Sequence, residues 1–140
     1  MSKGSYKQVV MYTDGGARGN PGPAGAGAVI LSLKGDTLLE LKRYLGTETN
    51  NVAEYTAILM GLQGAQELGA AEVSVFMDSE LAVRQLNGVY RVRNATLMKY
   101  YLEIKDLVRT FDRVTFTHVR REKNKHADRL VNEAIDEAIH

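Results

Sequence analysis

Runs of apolar residues alternate with polar, glycine-rich segments along the chain, and their spacing separates strands from helices. Continuous or alternating apolar runs predict five strands, at residues 8–13, 24–33, 38–45, 73–77 and 113–119. Apolar residues at helical spacing predict four helices, at about residues 51–68, 79–87, 96–111 and 124–139. Asn51 is the predicted N-cap of the first helix, because Glu54 follows three residues later as in a capping box. Gly69 is predicted to end that helix.

The order of these elements, β-β-β-α-β-α-α-β-α, predicts an α/β fold with one mixed sheet and helices on both faces. Right-handed crossover connections would make the first, fourth and fifth strands parallel. The second and third strands are predicted to form a hairpin through residues 34–36, which supplies the antiparallel edge. No repeat or linker divides the sequence, so residues 1–140 are predicted to form a single domain.

Composition narrows the class of protein. The chain has 140 residues, enough for a hydrophobic core, and its 44% apolar and 25% charged residues are typical of a soluble globular domain. It contains no cysteine, which excludes disulfides and thiolate metal sites. The first five residues lack the apolar core of a signal peptide, and no segment is long enough to span a membrane. We therefore expect a cytoplasmic protein and, without a spare apolar surface segment, a monomer.

Positive charge is unevenly distributed although the formal net charge is only +1. Basic residues cluster at 91–99 and again at 120–129, whereas the C-terminal residues are acidic. Clusters of this kind either bind a polyanion or form an ordinary solvated helix surface. The charge pattern alone supports both interpretations.

Four carboxylates occur at the ends of predicted strands or in the first turns of predicted helices. Asp14 and Asp78 follow the first and fourth strands, which are predicted to be parallel neighbours, and ligands of open α/β sheets bind at such strand ends. Glu54 and Asp128 fall in the first turns of the first and last helices. Each acid also has a simple structural explanation: Asp14 as a turn former, Glu54 and Asp78 as helix caps, and Asp128 beside a positive helix end.

If the four acids converge, their mutual repulsion must be neutralised by protons or cations. The chain lacks cysteine, and His118 and His126 are not obviously placed to bind a metal, so an all-oxygen cluster favours Mg²⁺ or Mn²⁺ over zinc. Two Mg²⁺ ions, with substrate oxygens completing their shells, would form the clamp used for in-line attack at phosphorus.

Four motifs resemble those of type 1 ribonuclease H, in order and over about residues 7–138. They read Tyr-Thr-Asp-Gly-Gly-Ala-Arg-Gly-Asn-Pro-Gly-Pro at 12–23, Thr-Asn-Asn-Val-Ala-Glu-Tyr at 49–55, Met-Asp-Ser-Glu at 77–80 and Asn-Lys-His-Ala-Asp-Arg-Leu at 124–130. The resemblance implies the RNase H-like fold, a five-stranded mixed sheet in order 3-2-1-4-5 with strand 2 antiparallel. It also implies an endonuclease that cuts the RNA strand of an RNA–DNA hybrid by two-metal-ion catalysis, leaving 5′-phosphate and 3′-hydroxyl ends.

The same resemblance implies roles for individual residues. The metal-binding and catalytic acids would be Asp14, Glu54, Asp78 and Asp128. Positions that line the hybrid's groove and its phosphates in the family are matched by Asn20, Thr49, Asn50, Asn51, Ser79 and Asn124. Amides suit this role because a 2′-hydroxyl both donates and accepts, although Asn50 and Asn51 also fit plain helix capping. The N–H groups of Gly15 and Gly16 are expected to let a phosphodiester lie over Asp14.

Two departures from the family pattern change what we expect. Many members carry a histidine in the loop before the last acid, but residues 119–123 read Val-Arg-Arg-Glu-Lys, a form that resembles archaeal-type members and their bacterial relatives. Glu122 is either a substitute for that histidine or a solvated loop charge. Residues 86–95 are too few for the extra basic helix of several members, which leaves Arg91 and Arg93 as phosphate contacts. We therefore expect weak, salt-sensitive hybrid binding.

The main hypothesis is thus a hybrid-specific, metal-dependent nuclease, and cleavage of double-stranded RNA is undecided. The alternative is a hybrid-binding module with weak or no catalysis, although such a module gains nothing from clustered acids. A nucleotide phosphotransferase is disfavoured because no Gly-Lys-Ser/Thr follows the glycines. A transposase or integrase core is disfavoured by the short chain and the Thr-Asn-Asn segment.

Overall fold

The structure is a computed structural model that describes residues 6–140, so the prediction about a signal peptide falls on residues outside it. Five strands, four α-helices and one short 3₁₀ helix follow one another along the chain. Their bounds are β1 Gln8–Ala17, β2 Gly22–Leu31, β3 Thr37–Glu48, α1 Asn50–Glu67, β4 Glu72–Met77, α2 Glu80–Leu86, α3 Ala95–Val108, β5 Arg113–His118, the 3₁₀ helix Arg121–Lys123 and α4 Lys125–Ile139.

The strands form one mixed sheet in the order β3-β2-β1-β4-β5. β2 is antiparallel to both β1 and β3, whereas β1 pairs in parallel with β4 and β4 with β5. The predicted fold class, strand order and strand directions are therefore confirmed. As expected, the two parallel pairings are reached through helical crossovers.

Helices cover the two faces of the sheet differently. On one face α1 packs against β1, β2 and β3 and also against α3, and on the other α4 packs against β1, β2 and β3. Neighbouring residues of β2 show this division: Gly27 approaches the backbone of α4, whereas Ala28 lies beside Gly61 of α1. The main core lies on the α1 face, and its largest fully buried side chains include Tyr55, Met11, Ile30, Ile58, Leu62 and Met77.

The glycine-rich segment after the first apolar run is strand rather than loop, which corrects the predicted end of the strand at residue 13. β1 continues to Ala17, with Gly15 opposite Ala26 and Gly16 opposite Gly25. The turn falls later, between Ala17 and Gly22. Local sequence favoured a loop because glycine is common in turns, but the absence of a side chain here serves close helix packing instead.

The start of α1 also differs from the prediction. Thr49 is the N-cap, since its side-chain oxygen accepts a hydrogen bond of 3.2 Å from the backbone N–H of Val52, and the capping assigned to Asn51 is wrong. Glu54 therefore lies beyond the first turn. The predicted stop is correct: Leu68 is the C-cap and Gly69 follows with φ of +77°.

Within residues 6–140, no helix combines the length and the apolar character that a membrane crossing requires. The single domain, the monomeric state and the cytoplasmic location stay predictions.

Candidate active site

Three of the four predicted acids converge at one end of the sheet. Asp14 comes from within β1, Glu54 from α1 and Asp78 from the residue directly after β4. Each offers a carboxylate oxygen, and these oxygens all lie within 4.8 Å of one another. Asp128, on the first turn of α4, lies outside this group but borders the same cavity, and its side chain is near enough to Asp14 to raise the pKa of that carboxyl.

Close backbone contacts place Asp14 beside both Asp78 and Glu54. Asp14 and Asp78 are side by side because the parallel register of β1 and β4 ends with Thr13 opposite Met77. The next residue, Gly15, lies against α1: a Cβ on it would be 2.2 Å from the carbonyl carbon of Ala53. Only glycine permits this approach, which sets Glu54 beside Asp14.

A second glycine brings the helix with the fourth acid close to the sheet. Gly27 is the direct partner of Asp14 across the antiparallel pair of β1 and β2. A Cβ on Gly27 would lie 2.7 Å from the backbone oxygen of Ala127, the residue before Asp128. Gly15 follows Asp14 along β1 and contacts α1, the helix of Glu54. Gly27 lies opposite Asp14 on β2 and contacts α4, the helix of Asp128.

Asn124 joins α4 to β1. It is buried, with 1% of its surface exposed, and its Nδ2 donates a hydrogen bond of 2.9 Å to the backbone oxygen of Thr13. Its own backbone oxygen accepts a hydrogen bond of 3.1 Å from the N–H of Asp128. Asn124 therefore holds α4 on β1, and its predicted contact with substrate stays a prediction.

Crowding and burial raise the pKa of two of the carboxyl groups, Asp14 and Glu54. Burial raises the pKa of Asp14 to about 8, aided by the charge of Asp78 and by the hydrogen bond and charge of Asp128, and opposed by the N–H of Gly15. Burial, followed by the charges of Asp14 and Asp78, also raises the pKa of Glu54 well above its usual value. A hydrogen bond between two carboxyl groups requires one of them to be protonated.

The donor set fits a hard divalent cation. Within residues 6–140, Oε2 of Glu54 is buried and has no hydrogen-bond partner, and a carboxylate oxygen of Glu54 lies within 4.8 Å of oxygens of Asp14 and Asp78. An unpaired buried oxygen is costly, and a cation held by Asp14, Glu54 and Asp78 would satisfy it and offset the repulsion. All the ligand atoms would be oxygens, as Mg²⁺ and Mn²⁺ prefer. His126 contacts Glu40 on β3 and takes no part in this group.

Two cations that sequence reasoning did not assign to the site line the acid cavity. This cavity of about 310 Å³ is bordered by the four acids and also by Arg18 and Arg121. The positive charge of Arg121 offsets part of the rise that burial causes in the pKa of Glu54. In the loop before α4, Arg121 borders the acid cavity. Glu122 is exposed and does not border it, as expected of a solvated loop charge.

The predicted asparagines Asn20 and Asn50 join the hairpin of β1 and β2 to α1. Oδ1 of Asn20 accepts a hydrogen bond of 3.0 Å from the backbone N–H of Asn50. Oδ1 of Asn50 accepts one of 2.8 Å from the N–H of Ala17. Asn20 thereby satisfies the first N–H of α1, and within the part of the chain that the structure describes the Nδ2 group of each asparagine makes no hydrogen bond. Ser79, by contrast, does cap α2, accepting a hydrogen bond of 3.2 Å from the N–H of Ala82.

A second polar cavity, of about 320 Å³, gathers other predicted substrate contacts. Its lining comprises Asn20, Glu48, Thr49, Asn51, Val52, Asn94, Thr96 and Leu97. Of this lining, Glu48, Val52, Asn94, Thr96 and Leu97 were not predicted as substrate contacts, and the structure shows Asn94 as the N-cap of α3. Arg91 and Arg93 are exposed on the connector that leads to this cavity. Gly15 and Gly16 both border the acid cavity; Gly16 has open space around it, whereas a Cβ on Gly15 would meet the backbone of α1.

Comparison with known proteins places the chain in one family. The Reverse transcriptase-like family matches residues 12–134. Bifunctional protein Rv2228c of Mycobacterium tuberculosis is 46% identical over 94% of this chain, which spans 36% of that protein. Ribonuclease HI of Halobacterium salinarum is 38% identical over 94% of this chain, and the match covers 66% of the halobacterial protein.

A solved structure agrees over the whole fold. LC11-RNase H1, crystallised in complex with an RNA/DNA hybrid, superimposes with a TM-score of 0.91 at 50% identity, covering 94% of this chain and 99% of that one. The family match, the curated relatives and the solved structure point the same way as the motifs and the clustered acids. The chain belongs to the type 1 ribonuclease H family of enzymes.

Proposed function

We propose that the protein is an endonuclease that hydrolyses the RNA strand of RNA–DNA hybrids, leaving 5′-phosphate and 3′-hydroxyl ends. The observation that carries this proposal is the group of three carboxylates within 4.8 Å of one another, with Asp128 on the wall of the same cavity. Such a group destabilises a protein unless a ligand neutralises it. The hybrid in the LC11-RNase H1 complex supports the choice of substrate.

The four acids would hold Mg²⁺, two ions when substrate is bound, with Mn²⁺ as a substitute. Such ions, when bound, make water a better nucleophile and offset the negative charge that develops on phosphorus and on the departing oxygen. Asp14 is central, because it contacts the other acids and keeps a proton at neutral pH, which a cation would displace. Asn124 and Gly27 keep Asp128 within reach of Asp14.

Selection of RNA over DNA would depend on amide groups beside the acids. The 2′-hydroxyl both donates and accepts, and it distinguishes an RNA strand from a DNA strand at a given position. Asn51 is exposed on the wall of the second polar cavity, and Asn20 reaches the same cavity while its Oδ1 is bonded to α1. Arg91 and Arg93 would add phosphate contacts on the connector side, with Thr49 on the wall of the second polar cavity and Ser79 directly after Asp78.

The test is cleavage of a labelled RNA–DNA hybrid, double-stranded RNA and a DNA duplex of one sequence, in Mg²⁺ and in EDTA. We expect the hybrid to be cut in Mg²⁺ only, the DNA duplex to stay intact, and Asp14→Asn to bind hybrid without cutting it. Cleavage of the DNA duplex at the same rate would overturn the 2′-hydroxyl assignment. Turnover by Asp14→Asn at the unmodified rate would overturn the assignment of the acids.

The same assay decides the alternative of a hybrid-binding module. Binding of the hybrid with no cleavage by the unmodified protein in Mg²⁺ or Mn²⁺ would support that module and reject the nuclease. The double-stranded RNA sample decides whether the enzyme needs a DNA strand as well as a 2′-hydroxyl.

A further inference from the structure

Arg18 is a cation on the wall of the acid cavity that none of the assigned roles uses. It lies just beyond β1 and borders the same cavity as the acids. Its Nη1 donates a hydrogen bond of 2.7 Å to Asp136, and its Nη2 donates one of 3.2 Å to Asn132, both on the outer surface of α4. A guanidinium has five N–H donors, so three remain for a ligand.

The backbone that carries Arg18 is held in place. The N–H of Arg18 donates a hydrogen bond of 2.8 Å to the oxygen of Pro23 across the hairpin. The preceding N–H, that of Ala17, donates to Asn50 of α1. The side chain therefore starts from a fixed point on the cavity wall, although it is long and 40% exposed.

The ion pair with Asp136 is suited to exchange. Both side chains are exposed, 40% for Arg18 and 53% for Asp136, and exposed ion pairs contribute little to stability because water screens them. The hydrogen bond from Arg18 lowers the pKa of Asp136, so this carboxylate is charged at neutral pH. A phosphate group offers an arginine two parallel, charge-assisted hydrogen bonds, which are stronger than a single bond to a solvated carboxylate.

We propose that Arg18 binds a phosphate of the nucleic-acid strand that enters the acid cavity, and that Asp136 holds the guanidinium ready and competes with that phosphate. This proposal rests on the proposed nuclease function. It adds a phosphate contact on the α4 side of the acids, opposite the connector that carries Arg91 and Arg93. The strand would then be held on both sides of the reacting phosphate.

The alternative is that Arg18 only fastens α4 to the hairpin. Two variants separate the two roles. Arg18→Ala removes the phosphate contact, whereas Asp136→Asn removes the competing charge and keeps an amide oxygen that still accepts a hydrogen bond from Arg18. Arg109→Ala is the matched control, because Arg109 forms a similar ion pair of 2.7 Å with Asp106 at the far end of α3.

The experiment measures KM and kcat for hybrid cleavage in Mg²⁺ over a series of salt concentrations. We expect Arg18→Ala to raise KM about 3–10-fold, to keep kcat within about twofold, and to reduce the slope of log(kcat/KM) against log salt by about 1. Asp136→Asn is expected to lower KM at low salt, and Arg109→Ala to leave KM and the slope unchanged.

An unchanged salt slope in Arg18→Ala, together with an equal fall in melting temperature in Arg18→Ala and Asp136→Asn, would overturn the phosphate contact and leave only the fastening role. An equal rise in KM and an equal fall in slope in the Arg109→Ala control would also overturn it, since the loss of one positive charge anywhere on the protein would then explain the effect. If the unmodified protein cleaves no hybrid, the proposed function fails and this proposal fails with it. Normal cleavage that Arg18→Ala leaves unchanged rejects this proposal alone.

Discussion

The side-chain amide of Asn124 donates a hydrogen bond of 2.9 Å to the backbone oxygen of Thr13, 111 residues earlier in the chain. This bond joins α4 to β1 at the residue before Asp14. The backbone oxygen of Asn124 also accepts a hydrogen bond from the N–H of Asp128. Asn124 is therefore hydrogen-bonded both to the residue before Asp14 and to Asp128 itself. The distance between Asp14 and Asp128 therefore depends on a side chain that does not itself border the acid cavity.

We expect Asn124→Ala to impair both stability and metal binding. Loss of the amide leaves a buried carbonyl oxygen without this donor, which costs about 1–3 kcal/mol of the free energy of unfolding. Freed from β1, Asp128 is expected to shift, so that a higher Mg²⁺ concentration is needed for half-maximal rate. Thermal melting and a Mg²⁺ titration of the cleavage rate measure the two effects.

Asn87→Ala is the matched control for that variant. Asn87 also donates a side-chain hydrogen bond to a backbone oxygen, of 3.1 Å to Phe116, but it joins α2 to β5 and does not bond to any of the acids. Its removal should lower the melting temperature and leave the Mg²⁺ midpoint unchanged. An equal change of midpoint in both variants would contradict the positioning role of Asn124.

The raised pKa of Asp14 predicts how stability without metal depends on pH. The pKa is about 8 in the folded protein against 3.8 for an unperturbed aspartate, so the folded state binds a proton that the unfolded state releases. In EDTA, the contribution of Asp14 is present below about pH 4 and is lost as pH rises through about 8. Melting curves across this range should show a falling midpoint. Mg²⁺ should reduce the fall, because it binds the deprotonated acids.

Asp14→Asn supplies the control for this pH dependence, since the amide does not titrate. Its melting temperature in EDTA should exceed that of the unmodified protein near pH 8 and should vary less with pH. Mg²⁺ should no longer stabilise it to the same extent. A pH profile identical to that of the unmodified protein would show that Asp14 is not the titrating group.

Gly27→Ala and Gly16→Ala are expected to differ in their effect on the melting temperature. A Cβ on Gly27 would lie 2.7 Å from a backbone oxygen of α4, so the helix must move, and overpacking of this kind costs about 1–3 kcal/mol of the free energy of unfolding. Gly16→Ala meets nothing within 4 Å and should leave the melting temperature nearly unchanged. If a phosphodiester lies over Gly16, Gly16→Ala should raise KM for the hybrid without changing the melting temperature. Melting and steady-state kinetics of both variants test this, and a large loss of stability in Gly16→Ala alone would be contrary to the structure.

Replacement of both Arg91 and Arg93 by alanine tests the connector as a phosphate-binding segment. Both side chains are exposed, so we expect little change in stability. KM for the hybrid should rise, and the slope of log KM against log salt should decrease by about 1–2. The reason is that binding releases fewer counterions when the protein contacts fewer phosphates. An unchanged slope would show that the connector is ordinary solvated surface.

The sheet order and the meeting of the acids follow from patterns that sequence displays well. Apolar runs locate strands, crossover handedness makes β1, β4 and β5 parallel, and parallel neighbours place Asp14 and Asp78 together. Helical periodicity placed Glu54 and Asp128 in the first turns of their predicted helices, and the four motifs implied that these two acids act together with the two aspartates. These inferences need only local periodicity and general rules of chain topology.

The hydrogen-bond partners of the polar residues could not be predicted in the same way. Asn124 bonds to Thr13 and Asn50 to Ala17, and such partners lie 33 to 111 residues away, where no local pattern indicates them. The glycines misled for a related reason: Gly15 suits a turn locally, but its neighbour in space is the backbone of α1. Arg18 belongs to the cavity only because α4 returns to the hairpin.

The four acids stand at positions 14, 54, 78 and 128 and come from β1, α1, the end of β4 and α4. No short segment contains the site, and its completion requires the closure of a loop of more than a hundred residues. A partly folded chain with α4 undocked therefore lacks one of its four acids. During synthesis or refolding, the proposed metal site stays incomplete until α4 docks on the sheet.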